Sequence, residues 1–314
     1  MFRVIHFAIA FCIALTASAM AAEEAAIHDG TADRPLRVLL IPSDGGTEAG
    51  TKADFEPIFG AIHRAYGLHF TLRVGQSYGA VVEAMVNDKV DIAFFGPVTF
   101  HQAKQKGVAE LLAVAVTKGQ SSYYSGIFVR KDSGMKKITD LKGKAVAFGD
   151  VNSTSSFNYP VAMILAGGLD PVKDLSKIYL TGSHANALSA LAAGKADAAC
   201  AAFDSFEKAV GNKQINPEEF IVLAKSEPIP YPPLAMHKKL DPALKKKLRE
   251  AFNKIHEQKD VKPDMIRGYG GKKVDRYDAD YSESEFDKAI AKLVNVTDEL
   301  VAEILKKASS NGTN

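Results

Sequence analysis

The chain has 314 residues, 46% hydrophobic and 24% charged, which is ordinary globular composition. At roughly 150 residues per domain that length suggests about two domains, each able to bury a core. Lys and Arg number 39 against 37 acidic residues, a net +2, so bulk charge gives no ground for a nucleic-acid partner. With Cys12 and Cys200 as its only cysteines, the chain is no disulfide scaffold.

The N-terminus comes first in chain order. Arg3 precedes an apolar run at 7–15, followed by Thr16, Ala17, Ser18, Ala19, Met20 and Ala21. A base, a short apolar core and small residues form the pattern of a secretory signal peptide. Residues 1–21 are therefore expected to be removed by cleavage after Ala21. The run is shorter than the ~20 apolar residues of a membrane span. No later segment qualifies either, so the mature chain is expected to be exported and soluble. Cys12 leaves with the signal. Cys200, flanked by alanines at 198, 199, 201 and 202, is expected to be a buried thiol.

Strand-like apolar runs follow at 36–41, 70–74, 90–95, 111–116, 126–130, 145–148, 178–180, 196–201, 220–224 and 234–236. Helical stretches lie between several of them, at 52–66, 78–87, 98–106, 156–166 and 184–193. Such alternation predicts an α/β fold with largely parallel sheets. The strands gather into two groups, which predicts one lobe from 35–127 plus 232–314 and a second from 128–231. A ligand cleft is expected between them, because such sheets bind ligands beyond their strand C-termini. Crossings are expected near 127–132 and 226–233, the latter stiffened by Pro228, Pro230, Pro232 and Pro233. Beyond Asp241, charged surface helices are expected at 244–258 and 283–307.

The densest chemical signal is Ser153, Thr154, Ser155 and Ser156, after the strand at 145–148 and before an apolar helix. Hydroxyls at a helix start combine cap acceptors, free backbone N–H groups and the positive end of the dipole. That is an anion cradle needing no cation, although a plain helix cap has the same residues. Pro160 requires the regular helix to begin near Ser156. His184, after Gly182 and Ser183, stands at another helix start. Tyr78 and Tyr123 sit at strand ends, where a phenol can donate or simply pack. His101, His184, His237 and His256 lack paired metal-ligand spacing, and no phosphate-binding loop or cofactor motif is present. Ser153, His184 and Asp204 could compose a hydrolase triad, but the serine lacks the G-x-S-x-G elbow.

The segments 76–85 (with Tyr78), 90–97 (ending Gly96-Pro97), 150–157 (with Ser153-Thr154-Ser155), 182–187 (with His184) and Ile229-Pro230 recur in a telling order. In them the chain resembles the phosphate/phosphite/phosphonate-binding proteins of ABC importers, over about residues 37–277. The resemblance implies a two-lobed periplasmic binding protein of type II, with its ligand cleft between the lobes. It further implies a binding rather than an enzymatic role, with no metal or cofactor. The ligand is a small oxyanion, and the partner is a membrane permease to which a monomer delivers it. Carried over by position, Tyr78, Tyr123, Ser153, Thr154, Ser155 and His184 would hold the oxyanion. Asp204 matches an acid that faces the amine of aminoalkylphosphonates. A second acid expected after Ile229-Pro230 is missing, because Tyr231, Pro232 and Pro233 follow. The reading therefore favours phosphite, a short alkylphosphonate or phosphate, with Asp204 accepting from a protonated ligand oxygen and disfavouring a dianion. The alternative within the fold is a sensor that presents such an oxyanion, or arsenite, to a membrane kinase.

Overall fold

The computed structural model describes residues 28–43 and 47–310, so the signal segment and Cys12 lie outside the described residues. In chain order, β1 (Leu36–Leu40), α1 (Glu48–Tyr66), β2 (Phe70–Val74), α2 (Tyr78–Val86), β3 (Ile92–Phe94), α3 (Pro97–Gln105) and β4 (Ala109–Val116) build the first lobe. After the crossing strand β5 (Ser122–Tyr123), the second lobe begins with β6 (Ser125–Arg130) and β7 (Ala145–Phe148). It continues through α4 (Tyr159–Ala166), α5 (Pro171–Asp174), β8 (Lys177–Leu180), α6 (His184–Ala192), β9 (Ala198–Ala202), α7 (Phe203–Gly211) and β10 (Phe220–Lys225). β11 (Ile229–Pro230) crosses back to β12 (Pro233–His237), α8 (Pro242–Lys254), β13 (Arg276–Asp278), α9 (Ser284–Ala291) and α10 (Asp298–Ser310).

The sheets run β13-β4-β12-β3-β1-β2 and β10-β6-β9-β7-β8. Pairing is parallel in β3-β1-β2 and β9-β7-β8 and antiparallel elsewhere, so the sheets are more mixed than the alternation suggests. The crossings explain the mixture. Strands β1, β3, β7 and β8 point their C-terminal ends at the cleft, whereas β6 and β12 enter their sheets from it. A strand arriving from the hinge must run against its neighbours.

The first crossing also lies earlier than expected. β5 pairs with β11, Tyr123 opposite Ile229 and Ser122 opposite Pro230, as a two-stranded hinge. Residues 127–130, placed at the crossing by the sequence reading, belong instead to β6, which pairs on both sides within the second sheet. Their apolar run, Ile127 to Val129, is fully buried there. Cys200 is buried in all-small β9, as expected.

A second correction concerns the C-terminus, expected to belong wholly to the first lobe. The helical stretch at 283–307 is two helices, broken where Thr297 Oγ1 accepts from the Leu300 N–H at 3.3 Å. The second of them, α10, packs Leu300, Val301, Ile304 and Ala308 into the core of the second lobe. Lys307 Nζ completes the docking by donating to the Val172 and Leu175 carbonyls at the end of α5. Spacing of these apolar residues at one and two turns gives α10 a single buried stripe. No described helix is long and apolar enough to cross a membrane.

Ile304 is fully buried, so Ile304→Ala should lower stability by about 2–5 kcal/mol in urea unfolding. A change within experimental scatter would show that α10 does not belong to that core.

Candidate ligand-binding cleft

The cradle is built where β7 ends. Ser153 caps the following turn, its Oγ accepting the Ser156 N–H at 3.2 Å. The turn at Thr154–Asn158 is widened to π geometry, with the Asn158 N–H reaching the Ser153 carbonyl at 3.1 Å. The regular α-helix therefore starts at Tyr159, later than Ser156, and Pro160 falls in its first turn. Pro160 has no N–H to offer the carbonyls of Ser155 or Ser156. Ser125 Oγ donates to the first at 2.6 Å and the Gly149 N–H to the second at 3.1 Å. Gly149 has to be glycine: a Cβ there would sit 2.2 Å from Ser156 Oγ. At such a helix start the N–H groups of Thr154 and Ser155 have no intrahelical acceptor.

His184 opens α6, capped by Ser183, whose Oγ accepts the Asn186 N–H at 3.2 Å. Its Nδ1 accepts the Ala202 N–H at 2.9 Å, which fixes the ring proton on Nε2. Nε2 then faces Ser153 Oγ at 3.3 Å as a donor. Burial pushes the imidazole pKa down to about 3, so the ring is neutral at physiological pH. This is the reverse of what a Ser–His nucleophile needs. There the ring must accept from the serine and give its other proton to a carboxylate. Asp204 does not hold Nδ1, and the triad reading fails on tautomer.

Tyr78 begins α2, and its N–H crosses the cleft to Asp150 Oδ2 at 3.1 Å. Tyr123 comes from the hinge strand β5. Burial raises its phenol well above the ordinary value, while hydrogen bonding to the Ser155 and Thr154 side chains pulls the other way. It is thus a neutral donor. Thr154 Oγ1 accepts the Val98 N–H from the opposite lobe at 2.9 Å.

These groups meet at a small, partly open cavity of about 10 Å³. Tyr78, Tyr123, Ser153, Thr154, Ser155 and His184 all line it, so six of the seven residues expected from the sequence come together. Ile41, Gly96, Pro232 and Tyr269 complete the wall. No lining residue is an acid, a lysine or an arginine. Among the described residues, no cluster of acids, histidines and cysteines could hold a metal.

Asp204 is the exception. It does not line the space, and its Oδ1 is engaged by Lys272 Nζ at 2.7 Å. Tyr269 was missed by sequence reasoning. Its ring lies 6.1 Å from both Tyr123 and His184, and its hydroxyl meets Ser205 Oγ at 2.9 Å. The available signal was its setting between Gly268 and the pair Gly270-Gly271, both of positive φ. Further bonds join the lobes: Gln102 to Asn152 at 3.1 Å, the His184 N–H to the Ser43 carbonyl at 3.2 Å, and Lys208 to Asp54 at 2.6 Å. The lobes are shut.

An ordinary imidazole titrates near 6.5, so between pH 7 and 5 the unfolded chain takes up a proton that folded His184 refuses. Stability should accordingly fall as pH falls through that window. The wild-type protein is expected to lose about 2 kcal/mol more than His184→Gln between pH 7 and 5, read from urea unfolding. Equal losses in the two proteins would contradict a buried neutral ring.

Residues 46–281 match the family model described as ABC transporter, phosphonate, periplasmic substrate-binding protein. The chain is 29% identical over 255 residues to the phosphate-import protein PhnD of Mycolicibacterium smegmatis, covering 77% of this chain and 79% of that one. Among solved structures, the binding component of a Pseudomonas aeruginosa ABC phosphonate transporter superposes with TM-score 0.71 at 22% identity, over 88% and 99% of the two chains. PhnD1 of Prochlorococcus marinus in complex with methylphosphonate gives 0.72 at 17% identity, over 83% and 97%. At those identities the structures speak for the fold, which is that of two-lobed type II periplasmic binding proteins. With three quarters of its length matched by the family model, the chain belongs to the periplasmic substrate-binding proteins of phosphonate ABC transporters.

Proposed function

We propose that the cleft captures a small phosphorus oxyanion, namely phosphite, a short alkylphosphonate or phosphate, and delivers it to a membrane permease. The observation that carries this reading is the convergence of neutral donors from both lobes on one small cavity. With the lobes shut the cavity is only about 10 Å³, room for about one water, so these donors can surround no more than a ligand of a few heavy atoms. The Thr154 and Ser155 N–H groups, the hydroxyls of Ser153, Thr154, Ser155, Tyr78 and Tyr123, and His184 Nε2–H are the donors for its oxygens. Asp204 acts from behind this wall and does not touch the ligand. Open lobes admit the anion, closure expels water and strengthens those bonds, and the permease reads the shut form. The named ligands of the relatives, phosphate and methylphosphonate, are of this class. Export would follow from cleavage after Ala21, placing a monomer in the periplasm. Cys200 gives a thiophilic ligand no support: it is buried in β9, and burial raises its thiol well above the ordinary pKa.

The test is calorimetric titration of chain 22–314, freed of ligand by unfolding and refolding, with phosphite, methylphosphonate, phosphate, 2-aminoethylphosphonate and arsenite. Phosphite, methylphosphonate or phosphate should bind tightest. Silence from every phosphorus compound would sink the reading. Thr154→Ala should weaken the best ligand by about 1–3 kcal/mol, the cost of a lost hydrogen bond to a charged group. Unchanged affinity would remove the helix start from the site.

A further inference from the structure

Behind the cavity wall, charged residues of the two lobes interlock. Helix α7 of the second lobe presents Asp204, Glu207 and Lys208, spaced three and four residues apart and so on one face. Opposite them stand Asp54 of α1 and Lys272, which follows the cavity-lining Tyr269 by three residues. Lys208 Nζ meets Asp54 Oδ2 at 2.6 Å, and Lys272 Nζ meets Asp204 Oδ1 at 2.7 Å and Glu207 Oε2 at 3.1 Å. The left-handed Gly270 and Gly271 let the backbone turn tightly enough to bring Lys272 there. At Gly271 a Cβ would stand 2.5 Å from Asp54 Oδ1.

The two bridges differ in what they neutralise. The Asp204 side chain is only 7% exposed, and its charge is felt at the Tyr123 hydroxyl, which lines the cavity. A carboxylate so placed repels any anion held by Tyr123 unless a cation stands beside it. Lys272 is that cation. Burial works against its charge, but the hydrogen bonds and charges of Asp204 and Glu207 prevail and keep the ammonium firmly protonated.

Resting on the oxyanion reading, we propose that Lys272 is a specificity-determining residue: by pairing with Asp204 across the shut cleft, it supplies from within the protein the positive charge that a ligand's own ammonium group would otherwise provide. Anions with uncharged substituents are thereby accepted, and zwitterionic ones lose their counter-charge. Because Asp204 and Lys272 stand on different lobes, the selection is made only on closure. Lys208 and Asp54 latch the same closure without bearing on the choice of ligand.

The experiment titrates methylphosphonate and 2-aminoethylphosphonate into four proteins: wild type, Lys272→Met, Lys208→Met and the double variant Lys272→Met with Asp204→Asn. Lys272 is partly exposed, so its replacement leaves the fold standing. Wild type should prefer methylphosphonate. Lys272→Met should shift the ratio of affinities by about tenfold or more toward the aminoalkyl compound, as expected for one uncompensated charge close to the ligand. The double variant should return the preference to methylphosphonate, and Lys208→Met should weaken both ligands alike. An unchanged ratio in Lys272→Met, with wild type binding normally, would overturn the assignment and leave the oxyanion reading standing. Failure of the double variant to restore the preference would also overturn it. Wild type binding no phosphorus compound would overturn both.

Discussion

An anion can sit in a dry cleft without a partner cation only if its oxygens meet donors whose other bonding demands are already satisfied. The turn after β7 meets that demand. Pro160 removes one N–H from the helix, Ser125 Oγ and the Gly149 N–H donate instead to the Ser155 and Ser156 carbonyls, and the turn opens into π geometry at Thr154–Asn158. What remains is a helix start whose first backbone N–H groups and hydroxyl protons are not spent on holding the helix together, even though Ser153 Oγ accepts the capping bond. His184 is arranged by the same logic. The Ala202 N–H occupies one ring nitrogen, so the proton must sit on the nitrogen that faces Ser153. One backbone bond sets the chemical character of the ring, and burial keeps it there.

Topology places these donors where two rigid bodies can close on them. Strand ends of β1 and β3 reach the cleft from one side, and those of β7 and β8 from the other. The paired β5 and β11 form the hinge between them, with Tyr123 standing in it. Domain closure of this kind turns on a few residues at the ends of elements while each sheet moves as a unit. Helix α10 adds a constraint. It leaves α9, whose Ala289 carbonyl accepts the Tyr159 hydroxyl at 3.2 Å, and docks on the second lobe. The chain thus passes between the lobes three times, and the third passage limits how the lobes can twist apart.

Much of this was legible from local pattern. All ten strand-like runs correspond to strands, because apolar runs bounded by turn residues are a local property. The Ser153–Ser156 cluster and His184 could be recognised as helix starts for the same reason. What escaped depends on contacts between residues far apart in the chain. Lys272 is 68 residues from Asp204, and nothing near Asp204 announces that its carboxylate is already engaged. Tyr269 enters the site from a segment with weak local pattern, carried there by glycines. The stripe on α10 could be read as amphipathic, yet amphipathicity does not say which lobe will bury it. The first crossing was displaced because Ile127 to Val129 is apolar enough for either a hinge strand or a core strand. Pairing on both edges decides for the core.

A wall of neutral donors also decides what happens when the ligand leaves. A lysine or arginine aimed into the cavity would be stranded in low dielectric whenever the lobes shut without an anion, at a cost of several kcal/mol. Here the donors have partners of their own: Ser153 has His184, Tyr123 has the Ser155 and Thr154 side chains, and Tyr269 has Ser205. The shut form without ligand therefore strands no charge in the cavity, and the lobes can close and reopen around a modest energy difference. A ligand shifts that equilibrium only by the bonds it makes in the shut form beyond those in the open one. Those bonds are hydrogen bonds to charged oxygens, individually about 1.5–3 kcal/mol and directional. Affinity then rests on several aligned contacts at once, and any motion that parts the lobes breaks them together. A carrier that must hold its cargo tightly and then surrender it gains both properties from one arrangement.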